Sequence, residues 1–530
     1  LKNRKPIFLL IAIVMLQLII APIVEADETS YYKLLEPKAY KLKNSYKLEN
    51  TGSNEALSIK ATVLVGAFSS SPYQQNINYK VTPWPKYTYV DASGNIYAEV
   101  HVDKIKPGET KLITVEKELI NGGVDYTNNI YEIDADYTEF QRDMNNRQYF
   151  EAGDKVEFAS PEIASKAESF NIRQNGVDIA KDIYDFVNLY ITYDKDPRYA
   201  NKGALSAIKT ARGVCDEYAT LFTALCRALG LPARVATGYW LDEDMPLKSG
   251  VWNDVSATPH AWPEFYIPGA GWIPAEPTFQ YFYNRTKRPN YDYFANMKAD
   301  DIHLLQSYQQ NDIKNDISIS YSYYKPTEME ISFAEQTVMP ISSVSASYAF
   351  TDIDGNWSRD YINDLYNQGI LFAKQPGLYK PADNITRAEF SAYLVNALGL
   401  EPKTAGVSFK DIYADSEYTT FIKTAAAYKL ITGNEQGYFK PNDPITRQDA
   451  ATIMQRAIKL LNEEEGTLQE PQFRDASQVS SYAKEAVKLI YNMQIMTGKP
   501  GEFGNVFEPK SYTTRAEVAK ILDNFINATE

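Results

Sequence analysis

Soft, reactive side chains are scarce in this chain: 530 residues contain two cysteines and three histidines. So few cysteines cannot build the disulfide framework that staples small exported domains, and stability must come from packed cores. The two cannot pair with each other either, since Cys215 and Cys226 share one helical pattern that sets them ~16 Å apart along the axis. A site with one cysteine and one histidine has too few soft ligands for zinc, so no metal and no other cofactor is expected. A glycine-rich phosphate loop is also missing. Positive charge is short: 54 Lys and Arg stand against 68 Asp and Glu, a formal net charge of -14. That leaves no basic surplus to neutralise phosphates, and nucleic acid is excluded as the main partner. Long apolar runs are confined to Ile7–Ile20, broken only by Gln17.

That run follows Lys2, Arg4 and Lys5 and precedes Val24-Glu25-Ala26, the pattern of an export signal over residues 1–26. Cleavage is expected after Ala26, with membrane contact only through this segment. The whole chain is 44% hydrophobic and 13% aromatic, a globular composition too long for one core. Residues 27–140 alternate apolar and polar positions in "ALSIKATVLVG", "NIYAEVHVDKI" and "KLITVEKEL", which predicts an antiparallel β-sandwich acting as scaffold. Residues 141–334 mix periods: Ile179, Ile183, Phe186 and Leu189 recur at helical spacing, and "PARVATGYW" and "HAWPEFYIPGAGWIPAEPTF" read as strands, an α+β domain. Residues 335–347, with "QTVMPISSVSAS", read as a linker.

The last third repeats three times, over 348–403, 404–466 and 467–530. Each copy opens with Phe-x-Asp at Phe350, Phe409 or Phe473 and runs into a helical pattern. A loop follows, "GLYKP", "GYFKP" or "NVFEP", then a second helix headed by "ITRAEF", "ITRQDA" or "TTRAEV". Thr386 with Glu389, Thr446 with Asp449 and Thr514 with Glu517 have the N-cap-to-N3 spacing of a capping box. These copies resemble S-layer homology repeats. The resemblance implies that residues 348–528 attach a secreted protein to a secondary cell-wall polysaccharide, with the three copies forming one pseudo-threefold unit. It implies Arg387, Arg447 and Arg515, just inside helix starts that favour anions, as bidentate partners for a sugar carboxylate, with Trp357, read in the first helix of repeat one, as a further polymer contact. Asp352-x-Asp354-Gly355-Asn356 lacks the remaining ligand positions of a calcium loop and reads as a turn.

The stretch "GVCDEYATLFTALCRALGLPARVATGYW" holds both cysteines. Cys215, Ala219, Phe222, Cys226 and Leu229 recur at steps of four and three, one helical face ended by Gly230 and Pro232. Cys226 reads as core filler. Cys215 stands at the helix start after Gly213, where the dipole favours a thiolate; Asp216 and Glu217 beside it oppose ionisation. Among possible bases, His101 falls in the β-rich region and His303 in the tail beyond the core, which leaves His260. A turn at Pro268-Gly269-Ala270-Gly271 brings Glu276 back toward His260: an odd-length turn opposes Glu276 to Trp262, diagonal to His260 on one face. These motifs and their order resemble the transglutaminase-like superfamily, with its papain-like α+β fold. The resemblance implies Cys215 as nucleophile, His260 as base and acid, and Glu276 where the family usually has Asp. Pro263 is expected to bulge the histidine strand or leave it unpaired there.

The chain therefore reads as multidomain: N-terminal β-sandwich, α+β transglutaminase-like core, C-terminal α-helical S-layer homology repeats. The expected function is a secreted, wall-anchored thiol enzyme that forms a thioester from a protein or peptide amide and passes it to an amine or water. A cysteine peptidase or amidase, and a non-catalytic wall-bound spacer with a degenerate triad, are the competing readings.

Overall fold

The structure, a computed structural model, describes residues 31–529 apart from 68–70, 127, 134–135, 143–145, 154, 171–174, 242–244, 284–285, 310–316, 345–349, 405, 407, 414–417, 462–467 and 502–503. The expected signal segment lies outside the described residues, and no described helix is long and apolar enough to cross a membrane.

Six strands open the described chain: β1 (Tyr32–Asn50), β2 (Ala56–Ala67), β3 (Gln74–Thr82), β4 (Tyr87–Val90), β5 (Asn95–Ile105) and β6 (Thr110–Tyr126). Alternation sends Tyr46 and Leu48, Ile59, Ala61 and Val63, Ala98 and Val100, and Ile113 and Val115 into one shared core. Short helices follow, α1 (Thr138–Arg142) and α2 (Pro161–Ala167), then α3 (Gly176–Tyr190), β7 (Thr192–Tyr193), α4 (Ala204–Thr210), β8 (Arg212–Gly213) and α5 (Cys215–Ala228). Next come β9 (Ala233–Leu241), β10 (Asn253–Asp254), β11 (Pro259–Ile267), β12 (Gly271–Pro274), β13 (Tyr281–Tyr283), β14 (Thr286–Arg288), β15 (Asn296–Met297) and β16 (Ile302–Gln309). The chain then returns as β17 (Ile317–Ser322) and β18 (Met329–Ile341).

The return corrects two expected boundaries. β17 pairs with β2, and β18 pairs with β1 from Asn50↔Met329 to Ala39↔Ile341. The first sheet runs β10-β18-β1-β6-β15 with β3 on β6, and the second β17-β2-β5-β4. The β region is thus completed from the far side of the α+β region, and the boundary at 334/335 falls inside a strand. Residues 335–341 are not linker: "QTVMPI" satisfies its backbone against β1 and buries Val338. Residues 345–347 lie outside the described set.

The α+β region is a four-stranded sheet, β12-β11-β9-β16, packed against α5. The reading of α5 as one-sided is corrected, because every residue from Asp216 to Arg227 is buried and the helix is enclosed all round. On α3 the buried stripe is Val177, Ala180, Ile183, Tyr184 and Val187, while Leu189 is 42% exposed. The stripe lies one position round from the expected face. Pro263 neither bulges nor unpairs β11, which stays in register with β9 from Pro259↔Tyr239 to Phe265↔Ala233. Its carbonyl accepts Ala275 N–H at 3.0 Å, so its missing N–H falls on the β12 side, past the end of that strand.

A buried ion pair joins the two regions. Arg234 donates to Glu264 Oε2 at 2.7 Å, Tyr73 O–H reaches Glu264 Oε1 at 2.6 Å, and Trp262 Nε1 donates to the Tyr73 hydroxyl at 3.0 Å.

Each C-terminal repeat contributes two helices: α6 (Arg359–Asn367) and α7 (Arg387–Ala397), α8 (Thr419–Ala427) and α9 (Arg447–Leu460), α10 (Lys484–Asn492) and α11 (Arg515–Thr529). The Phe-x-Asp signature acquires a physical role. Asp352 accepts the N–H groups of Tyr379 and Lys380 at 2.9 and 2.7 Å, Asp411 those of Phe439 and Lys440, and Asp475 those of Phe507 and Glu508. Each carboxylate clamps a loop whose second residue has φ between 55° and 61°, so the Asp352 turn spends its carboxylate on backbone. Repeat 1 docks on the sheets: Tyr79 stacks on Tyr366 at 4.9 Å and donates to its carbonyl, and Asn367 donates to Ile77 O at 2.7 Å.

Glu264→Ala would strand a buried guanidinium, and the expected loss is about 3–5 kcal/mol of unfolding free energy, read from urea denaturation of the full chain. A loss below 1 kcal/mol would show that the pair is solvated.

Candidate active site

The thiol is placed by how α5 starts. Val214 is extended (φ −105°, ψ −169°) and has no side-chain acceptor, so Glu217 does the capping: its Oε2 accepts Val214 N–H at 2.9 Å. Glu217 Oε1 accepts Gly203 N–H at 3.1 Å and also the N–H of Lys202. Gly213 makes this possible, since a Cβ there would stand 2.3 Å from Glu217 Cβ and Cγ. Glu217 is thus turned to the backbone rather than toward the thiol. Asp216 is pushed up to about 6, by burial first and against the pull of Lys155, whose Nζ is 3.4 Å away. Cys215 remains partly exposed, and its own N–H, in the first turn, has no acceptor among the described residues.

Cys226 is fully buried, and burial pushes its thiol far up. The helix ends as expected at Gly230 (φ 77°), with Leu231 N–H on Cys226 O at 2.9 Å.

His260 and Glu276 meet through strand register. The turn at Pro268–Ala270 pairs Ile267 with Gly271 and Glu264 with Pro274. Continued two positions, that register sets Glu276 opposite Trp262 and diagonal to His260. His260 Nε2 lies 2.5 Å from Glu276 Oε2, and Glu276 Oε1 accepts Thr278 N–H at 2.8 Å. The extra methylene of Glu276 does not prevent the contact.

Charge in this pair is decided by a contest between burial and partners. Burial alone would raise the Glu276 carboxyl, yet the His260 cation and its hydrogen bond, with His303 nearby, hold it down at about 2. Against an ordinary 4.5, that is on the order of 3 kcal/mol in favour of the anion. Burial would likewise discharge His260, but Glu276 and then Cys215 push it up to about 10. With Nε2 committed to Glu276, Nδ1 is the ring nitrogen left free to exchange a proton with a group in the cleft. Phe279 stacks on the His260 ring at 5.8 Å and 8°, and Trp240 and Trp262 flank it, walls that keep the pair dry. Cys215 and His260 open onto a cleft of about 980 Å³ between the α+β region and the first sheet, with Trp240, Phe279 and Thr278 on one side and Asn44, Phe333 and Gln336 on the other.

His303, set aside as tail on sequence, belongs to this site. It is 2% exposed in β16, opposite Trp240 of β9, while His260 is opposite Gly238. The two imidazoles therefore share a face across β9, with ring centroids 5.6 Å apart. No local signal showed this, because the β9–β16 pairing spans some sixty residues. His101 lies in β5 beside Glu99, remote from the site in the fold. Ring nitrogens of His260 and His303 and a carboxylate oxygen of Glu276 thus lie within 4.8 Å of one another.

The three repeat arginines differ. In each, Nε donates to a carbonyl of the next repeat: Arg387 to Phe439 O at 2.9 Å, Arg447 to Phe507 O at 2.7 Å, Arg515 to Tyr379 O at 2.7 Å. These bonds close a ring of repeats. Arg515 is wholly buried, paired with Glu389 at 2.9 Å and bonded to Phe372 O and Tyr393 Oη, so no N–H faces solvent. Its assignment to a polymer is corrected: it joins repeat 3 to repeat 1. Arg447 is nearly buried, 3.5 Å from Glu517. Arg387 is partly exposed, because its counterpart acid is the shorter Asp449, which is held by Thr446 and Tyr482 instead. Trp357 is 59% exposed in the turn before α6, not within the helix.

Residues 165–277 match the family model of the transglutaminase-like superfamily, and residues 349–391, 408–451 and 472–519 match the S-layer homology domain. The chain thus carries a transglutaminase-like domain followed by three S-layer homology repeats, which mark a secreted, cell-surface, S-layer-associated protein. Among curated relatives, an "Endoglucanase" from Bacillus sp. (strain KSM-635) is 33% identical over 35% of this chain and 19% of its own length. A "Surface-layer 125 kDa protein" from Lysinibacillus sphaericus is 29% identical over 36% of this chain and 16% of its own. A "Cellulosome-anchoring protein" from Acetivibrio thermocellus is 30% identical over 28% and 33%. The chain therefore spans a third or less of the length of these relatives. Among solved structures, the periplasmic domain of TgpA from Pseudomonas aeruginosa aligns with TM-score 0.22 and 14% identity, over 44% of this chain and 87% of that one.

By nuclear magnetic resonance the His260 ring should titrate near pH 10, remaining imidazolium at every lower pH. In Glu276→Gln the stabilising anion is gone while burial persists, so the midpoint must move down. A midpoint unchanged by that substitution would contradict the assigned cause.

Proposed function

We propose that the domain is a thiol acyl-transfer enzyme with Cys215 as nucleophile, His260 as acid and base, and Glu276 as the orienting carboxylate. The observation that carries this reading is the His260 ring, bonded through Nε2 to Glu276 at 2.5 Å and lining one cleft with Cys215, which helps raise the imidazole. The Cys215 thiolate adds to the carbonyl carbon of a carboxamide, and the oxygen takes the negative charge beside the free Cys215 N–H. As the tetrahedral adduct collapses, the C–N bond breaks and His260 Nδ1–H passes its proton to the departing amine, leaving a thioester. An incoming amine or water then attacks; it gives its proton to His260 and expels the thiolate. The cleft is wide enough for a protein segment, and its N-terminal wall supplies amide and aromatic contacts. The two-sheet region acts as a β-sandwich scaffold that forms this wall.

The same proposal takes the repeats as the anchor to a secondary cell-wall polysaccharide. Arg387 supplies the open cation at the interface of repeats 1 and 2, close to Asp449 and Tyr482, and Trp357 is an exposed apolar face.

Iodoacetamide should label Cys215 at neutral pH much faster than a free thiol, and His260→Ala should slow labelling by about 100-fold or more. Mass spectrometry of a glutamine-containing protein incubated with an amine separates crosslinking, hydrolysis and a silent scaffold. Equal labelling of both variants, with no amide consumed, rejects the enzyme. For the anchor, Arg387→Ala in the full chain should release it from purified cell walls; retention unchanged would remove Arg387 from that role.

A further inference from the structure

The steps above leave one buried imidazole unused. His303 Nδ1 lies 3.0 Å from the carbonyl oxygen of Asp301. A carbonyl oxygen only accepts, so Nδ1 carries a proton. Nε2 points the other way, 3.6 Å from Glu276 Oε2, with no hydrogen-bond partner among the described residues. The ring cannot turn aside easily: Trp262 packs edge-on against it at 5.0 Å and 80°, and His260 lies 5.6 Å away. A bare Nε2 would set a lone pair against a buried carboxylate oxygen. A protonated Nε2 sets an N–H there and helps offset the cost of burying that anion.

We propose that His303 is a positioning residue that donates its Nε2–H to Glu276 Oε2, extending the array to Cys215, His260, Glu276 and His303. The inference rests on the acyl-transfer reading and adds to it. Catalytic hydrogen bonds are commonly long before substrate binds, and a 3.6 Å separation is of that kind. The chemistry has a reason in the sequence. A glutamate arm is longer and looser than an aspartate arm, and three donors hold this one: Thr278 N–H, His260 and His303. The other titratable groups facing this array are Tyr184, Tyr193, Tyr218 and Tyr293, each sensing Glu276. Asp301 is turned away onto the Tyr293 hydroxyl, and Asp216 is paired with Lys155.

Three measurements on the full chain test this. In 15N spectra of histidine-labelled protein at pH 7, the resonance lost in His303→Gln should be that of a ring protonated at both nitrogens; a bare Nε2 overturns the proposal without reference to activity or to the folding of any other variant. Alkylation of Cys215 by iodoacetamide at pH 6 should fall by about tenfold or more in His303→Leu, the usual scale for an outer-shell partner. It should recover in His303→Gln, whose amide N–H can take the same place. The wild type separates the two ideas. If its Cys215 reacts no faster than a free thiol, the acyl-transfer reading fails; if it reacts fast and a folded His303→Leu matches it, only the role of His303 fails.

Discussion

The 2.5 Å contact between His260 and Glu276 sets what the rest of the α+β region must accomplish. A carboxylate buried this deeply is tolerable only beside a cation, and an imidazole buried this deeply stays cationic only beside an anion. Neither group could stand alone at zero or near-zero exposure. Holding them together requires a strand register correct to one residue, because a slip of one would turn both side chains to opposite faces. The short turn at Pro268–Ala270 enforces that register, and the Arg234–Glu264–Tyr73–Trp262 network, on the same face of β11, ties β9 and β11 to the first β region.

The thiol is brought to this pair by a different device. α5 starts at Cys215 because a glutamate three residues on replaces the missing cap, and a glycine two residues before the thiol leaves room for that glutamate. Burial of α5 on all sides then fixes the sulfur relative to the sheet. The β sheets close the far side of the cleft, and β17 and β18 tie them to the end of the α+β region, so scaffold and site form one continuous body. The repeats obey a parallel logic. Each arginine bonds to the neighbouring repeat, and the one whose acidic partner is shortened by a methylene keeps its cation open.

Much of this was legible from residue order alone. The three repeats with their threonine helix caps, the helix from Cys215 to its glycine stop, and the pairing of His260 with Glu276 all follow from local period and turn length. What was misread depended on distant pairing. His303 looked like tail because β16 meets β9 only after the intervening strands β10 to β15, and residues 335–341 looked like linker because their partner strand lies near the other end of the chain. Arg515 looked like a ligand because its ion pair with Glu389 crosses two repeats. Pro263 looked disruptive because a sequence does not show which edge of a strand a missing N–H faces.

Local chemistry determined which residues can react and where helices begin, since capping, turn length and alternation act over a few residues and need no tertiary context. Tertiary packing decided which of those groups are charged, which are open and which are spent. A guanidinium is a ligand or a girder according to whether an acid reaches it, and a histidine is surface or site according to which strand lies beside it. Those distances are set by pairings tens to hundreds of residues apart, and only the folded chain brings them within hydrogen-bond reach.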